Sequence, residues 1–106
     1  MAMEFHILKG SGNSYKDYSE DMVEFEEGEY HNLVTFAKED KLPIFSGMSS
    51  YYGEYKITPA DMGLFSKEIH ILITKSPKEL KIKLDKLIKL IDQAKSDHLP
   101  VATFPD

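Results

Sequence analysis

Four histidines stand at positions 6, 31, 70 and 98. None has a second histidine or carboxylate at the i+3 or i+4 spacing with which a helix grips a metal, except Glu27 with His31, and that pair straddles a helix start. A zinc site needs several converging ligands, and the chain has no cysteine to add to them. We therefore expect surface or edge histidines, no metal and no cofactor. "KGSGNS" (9–14) follows a strand-like run as a phosphate-binding loop would, but it lacks the Gly-Lys-Ser/Thr ending and the helix behind it. It is turn chemistry, because Gly and Asn tolerate positive φ. Ser11, Ser14 and Ser46 have no strand–turn–helix elbow around them to activate a nucleophile. Acid–base catalysis by paired carboxylates would require one of them desolvated to raise its pKa. The carboxylates here alternate with few apolar residues, so the expectation is a protein that is not an enzyme.

What remains is a surface chemistry. "SEDMVEFEEGEY" (19–30) carries six carboxylates and no basic residue. From Tyr15 to Glu29 there are seven carboxylates against Lys16 alone, leaving 11 acidic and 12 basic residues of the chain's 18 and 13. The net charge of −5 is thus a local feature. Such a segment repels phosphate backbones and disfavours nucleic-acid binding. Like charges gathered in one place cost stability through repulsion, and a basic partner is one reason for them to persist. A charge run is more often just a solvated face. Against that, Tyr15, Tyr18, Met22 and Phe25 are interleaved here with the carboxylates. The candidate partner-binding residues are Asp17, Glu20, Asp21, Glu24, Glu26 and Glu27. A second candidate set is Tyr51, Tyr52 and Tyr55, in "MSSYYGEY" (48–55). Tyrosine offers large contact area for little rotamer entropy, although rings in such a loop also serve to cap a core.

These residues need a scaffold to present them. A chain of 106 residues is one domain, spanning 1–106, and can bury roughly two-thirds of its unfolded surface. Residues 3–9 read as a strand with Phe5 and Ile7 on one face and His6 and Leu8 on the other. Met22–Glu26 alternates Val23 and Phe25 against Glu24 and Glu26, a strand with one wet face that pairs most economically with 3–9. From Glu29 to Asp40 the period becomes helical through Tyr30, Leu33, Val34 and Ala37, with Glu29 at the positive end of the helix dipole and Pro43 as a stop. Residues 44–57 have no clean period and read as a loop with a short strand near Tyr55–Ile57.

"TPAD" (58–61) starts a helix over 59–74, with Thr58 as its N-cap and Pro59 at the first position. "EIHILIT" taken alone resembles a strand, but the cap and the length favour the helix. Leu64 and Ile71 fall opposite its apolar stripe, so either both faces are covered or one awaits a partner. "SPKE" (76–79) is a capping box opening a helix over 77–97, with Ser76 and Glu79 reciprocally bonded. The two helices must then form an antiparallel hairpin. "LPVATF" (99–104) returns as a last strand. The expected class is α+β: a small, mostly antiparallel sheet against about three helices. No apolar run reaches the roughly 20 residues of a membrane span, and no basic-then-apolar leader opens the chain. No membrane association and a cytoplasmic location follow as expectations.

The order of these elements resembles that of small bacterial immunity proteins of polymorphic-toxin and contact-dependent inhibition systems. The resemblance lies in "DMVEFEEGEYHNLVTFAKEDKLPIFSG", in "ITPADMGLFSKEIHIL", and in the long "SPKELKIKLDKLIKLIDQAK" followed by "HLPVATFPD". It is a likeness of pattern over most of the chain, with no diagnostic motif and no functional residues to carry over. It implies a cytoplasmic protein that binds and occludes one cognate toxin domain, here a basic one of the nuclease kind. The alternative is an adaptor or regulatory module acting through hairpin 59–97 by way of Leu64, Ile71 and Ile82, as a monomer or weak homodimer.

Overall fold

Phe5 and Ile7 put their side chains on one face of a strand that other strands flank on both sides. The computed structural model describes residues 2–48 and 55–105. In it Ala2–Leu8 forms β1, Tyr18–Glu26 forms β2, Tyr55–Ile57 forms β3 and Val101–Pro105 forms β4. The sheet order is β2-β1-β4-β3, and the three pairings are antiparallel. Phe5 stands opposite Val23 on β2 and Thr103 on β4, while His6 stands opposite Met22 and Ala102. That register sorts the sheet. Met3, Phe5, Ile7, Val23, Phe25, Ile57 and Val101 face the core, and the intervening residues face away from it.

The α+β expectation is met, with an additional short helix. Glu27–Glu39 forms α1, Pro43–Gly47 forms α2, Met62–Lys75 forms α3 and Lys78–Asp97 forms α4. Their apolar stripes close one core with the sheet. Phe5 meets Phe25 edge-on at 5.6 Å and stacks near Phe45 and Phe65 at 6.4 Å each. Leu33, Leu72, Leu84, Leu87 and Ile91 fill the rest. Hairpin α3–α4 is antiparallel as expected, and 62–75 is helix rather than strand, preceded by a 3-10 turn at Pro59–Asp61.

Four local readings change. Residues 43–47 are helix, not loop, and Pro43 is the first residue of α2 rather than a stop after α1. Five residues are too few to show a helical period, and no side chain of the preceding segment caps them. The amides of Ile44 and Phe45 instead donate to the carboxylate of Glu68 on α3, at 3.1 and 2.8 Å. Second, Ser76 does not cap α4. Its hydroxyl donates to the Leu72 carbonyl at 2.7 Å, closing α3, and α4 starts one residue later, with Pro77 as its cap. Third, the Thr58 side chain makes no capping bond and lies 3.4 Å from Asp61 instead. Fourth, β2 begins at Tyr18, four residues before the alternation becomes legible, because its register on β1 slips between His6 and Leu8.

Candidate partner-binding face

The face of the sheet turned away from the core can be mapped row by row. Across β2, β1 and β4, one row reads Glu24, Glu4, Phe104, and the next reads Met22, His6, Ala102. Glu26 and Ala2 flank the first row, and Tyr18 and Leu8 lie past the second. An antiparallel sheet packed on one side leaves its other side to water, and Met22 is 42% exposed here. Glu24 stands directly opposite Glu4, a like-charge pair that costs the sheet stability.

The six acidic candidates do not share one fate. Glu24 is half-buried and Glu26 exposed, both on this open face. Glu20 is exposed within the stretch where the β1–β2 register slips. Glu27 is exposed in the first turn of α1. Asp17 is held by the turn before β2. Its Oδ2 accepts from the Gly12 amide at 3.1 Å and its backbone carbonyl accepts from Lys9 N at 2.6 Å. A side chain at Gly10 would run into that carboxylate. Asp21 faces the other way, into a cleft of about 570 Å³ between β2 and α4, where Lys9, Lys86 and Lys89 also converge. Asp97 lines the same cleft. Among the tyrosines, Tyr51 and Tyr52 lie outside the described residues. Tyr55 is half-buried, opposite Thr103 on the core side of β3, and packs on the core.

The register also brings in residues that the sequence reading did not single out as a site. His6 lies on the open face yet is only 9% exposed. Its ring stacks on Phe104 at 5.1 Å and 9°, and Tyr18 stands edge-on to both. Nδ1 donates to the Ser19 carbonyl at 2.8 Å, and Nε2 lies 2.9 Å from Glu4 Oε1. The period-2 placement of Glu4 and His6 was visible in the sequence, but their partners come from Tyr18 and Ser19 on β2 and from Phe104 on β4, about a hundred residues away.

Glu29 and Tyr30 have shifted pKa values. Burial opposes ionisation of Glu29, but the Lys83 ammonium and the Glu26 amide outweigh it and hold the carboxyl below its ordinary value. Glu29 Oε1 accepts from Glu26 N at 2.9 Å, so this residue closes the entry of α1 rather than facing a partner. Burial, then the neighbouring Tyr55, pushes the Tyr30 phenol up to about 12. The Tyr30 hydroxyl is buried with no hydrogen-bond partner among the described residues.

Among the described residues no three His, Asp or Glu side chains gather as a metal cluster, and no helix is long and apolar enough to cross a membrane. No known protein family, curated protein or solved structure matches the chain.

Proposed function

We propose that the chain is a non-catalytic inhibitor domain that docks a basic protein through the open face of its sheet. The observation that supports this reading is the row Glu24–Glu4 flanked by Glu26, beside the exposed apolar Met22. Carboxylates around an apolar patch attract a partner electrostatically and then offer it area to bury. Edge strands also carry charge merely to prevent edge-to-edge pairing, but that purpose is served on any strand by charge of either sign. The concentration of the chain's whole excess negative charge in one segment favours a basic partner.

In keeping with the immunity-protein resemblance, the partner is a cognate toxin domain, a nuclease whose phosphate-binding lysines and arginines the carboxylates cover. The protein then acts in the cytoplasm by occlusion. Co-purification from the native host tests the class: a stoichiometric basic toxin fragment is the expected result, and its absence counts against the reading.

A second reading rests on Leu64, Ile71 and Ile82, which are 45%, 41% and 51% exposed on hairpin α3–α4. It makes the chain an adaptor or homodimer. Sedimentation over a range of concentrations separates the two, since a dimer abolished by Leu64→Glu or Ile71→Glu belongs only to the second.

A further inference from the structure

Beyond the carboxylate row, the open face ends in an aromatic recess. A cavity of about 290 Å³ is lined by Gly12, Asn13, Ser14, Tyr15, Tyr18 and Phe104. Its walls are pre-set. Tyr18 and Phe104 meet edge to face at 5.1 Å, and the Tyr18 hydroxyl donates to the Gly12 carbonyl at 3.3 Å. The turn that supplies the other wall is braced by Asp17, which accepts from Gly12 N. Gly12 itself has φ 86°, a conformation that glycine adopts without strain. Tyr15 stands at the rim, 82% exposed.

Two features decide what the recess suits. Phe104 has one face on His6 and meets Tyr18 edge to face, leaving the rest of these rings and Tyr15 to line the recess, and the strand register puts Glu4 directly opposite Phe104, with Glu24 one strand further on. The other titratable groups on this face are Glu26, opposite Ala2, His6, bonded to Glu4, and Lys56, opposite Ala102 on β3. Rings backed by carboxylates favour a planar cation, because guanidinium stacks on aromatic faces while its N–H groups reach carboxylates. The space is small for a free drug-sized ligand and suits one long side chain.

We propose that the recess of Tyr15, Tyr18 and Phe104 seats an arginine side chain of the basic partner, with the Glu4–Glu24 row receiving its neighbouring cations. This rests on the acidic-face reading and names the anchor within it. Pre-organised aromatic walls reduce the ordering cost of binding, which is what distinguishes an anchor from a merely attractive surface.

The test uses the full chain, isotope-labelled, titrated with acetyl-Gly-Arg-Gly-amide and, separately, with the lysine and leucine versions of that peptide. The expected result is saturable shifts at Tyr15, Tyr18 and Phe104 with the arginine peptide, weaker with lysine and absent with leucine. Tyr15→Ala removes a ring that is largely in solvent, so the variant keeps its fold, and it should weaken arginine binding about fivefold, a typical loss for one cation–π contact. Glu24→Gln should weaken it less and reduce its salt dependence. Equal shifts with leucine, no shifts at the three rings, or a Tyr15→Ala variant that binds as the parent does would overturn the proposal. If the arginine peptide fails while Glu24→Lys and Glu26→Lys still abolish capture of the purified basic partner, only the anchor is wrong. If those substitutions leave capture intact, the acidic-face reading fails with it.

Discussion

Glu68 on α3 accepts the amide of Phe45 at 2.8 Å across 23 residues of sequence, and its other oxygen takes the amide of Ile44. Only 1% of Glu68 is exposed. A buried carboxylate is costly unless it is hydrogen-bonded, and here each oxygen accepts a first-turn amide of a five-residue helix that has no side-chain cap of its own. The same contact seats Phe45 against Phe5 and Phe65. Removing the acceptor strands two buried donors. Glu68→Ala is therefore expected to lower unfolding stability by about 3 kcal/mol, and Glu68→Gln by about 1–2 kcal/mol because one acceptor survives. Urea unfolding measures this. A loss below about 0.5 kcal/mol for Glu68→Ala would mean that water replaces the carboxylate.

Glu24→Gln should do the opposite. It relieves the repulsion facing Glu4 and is expected to raise stability by about 0.3 kcal/mol while weakening partner binding. Asp17→Asn should lower stability instead, since that carboxylate braces the 10–17 turn. Thermal melts of the two variants distinguish a carboxylate that faces out from one that organises the chain.

Tyr30 gives an alkaline signature. Its folded pKa is raised, to about 12 against 10.0 for the free phenol. The associated stability is fully present below pH 10 and is lost as the pH rises from there towards 12. Tyr30→Phe should abolish that loss, and at neutral pH it should be neutral or slightly stabilising, because the hydroxyl has no partner among the described residues. Melts across this range check both. The opposite sign holds for Glu29, whose folded pKa is depressed. Its contribution is present above its unfolded value of 4.5 and lost as the pH falls towards the folded one, and Lys83→Met should reduce it.

Two helix ends hold non-glycine residues in the left-handed region: Lys41 after α1 at φ 57° and His98 after α4 at φ 54°. In each case a backbone amide reaches back to close the helix, Leu42 to Ala37 at 2.8 Å and Leu99 to Ala94 at 2.9 Å. Glycine adopts this conformation without a Cβ clash, so Lys41→Gly and His98→Gly should each stabilise by about 0.5–1 kcal/mol. Equilibrium unfolding checks the values, which should add because the sites belong to different helices.

Long, strongly patterned elements were legible in the sequence. The α4 stripe, the 3–9 and 22–26 alternations and the α3–α4 hairpin come through because each period repeats several times within its own segment. What failed to show locally was set from far away. Helix α2 depends on Glu68, and nothing in "KLPIFSG" announces a carboxylate arriving from another helix. Ser76 has the spacing of a cap, yet its hydroxyl finds the Leu72 carbonyl first. The acidic segment showed its charge but not its geometry. Whether a carboxylate faces water, a turn or a cleft depends on its neighbours in space: Asp17 is held by the turn before β2, Asp21 lines the cleft against α4, and Glu4 joins the face because β1 pairs it with Glu24.

The central claim is that the outward carboxylates capture a basic protein. Its most direct measurement is the association rate of the basic protein that co-purification yields with the parent chain and with the Glu20→Gln, Glu24→Gln, Glu26→Gln, Glu27→Gln variant, over a series of salt concentrations. The account predicts an affinity loss of about tenfold or more, carried largely by the association rate, and a flattened dependence on salt. Unchanged affinity and an unchanged salt slope would contradict it.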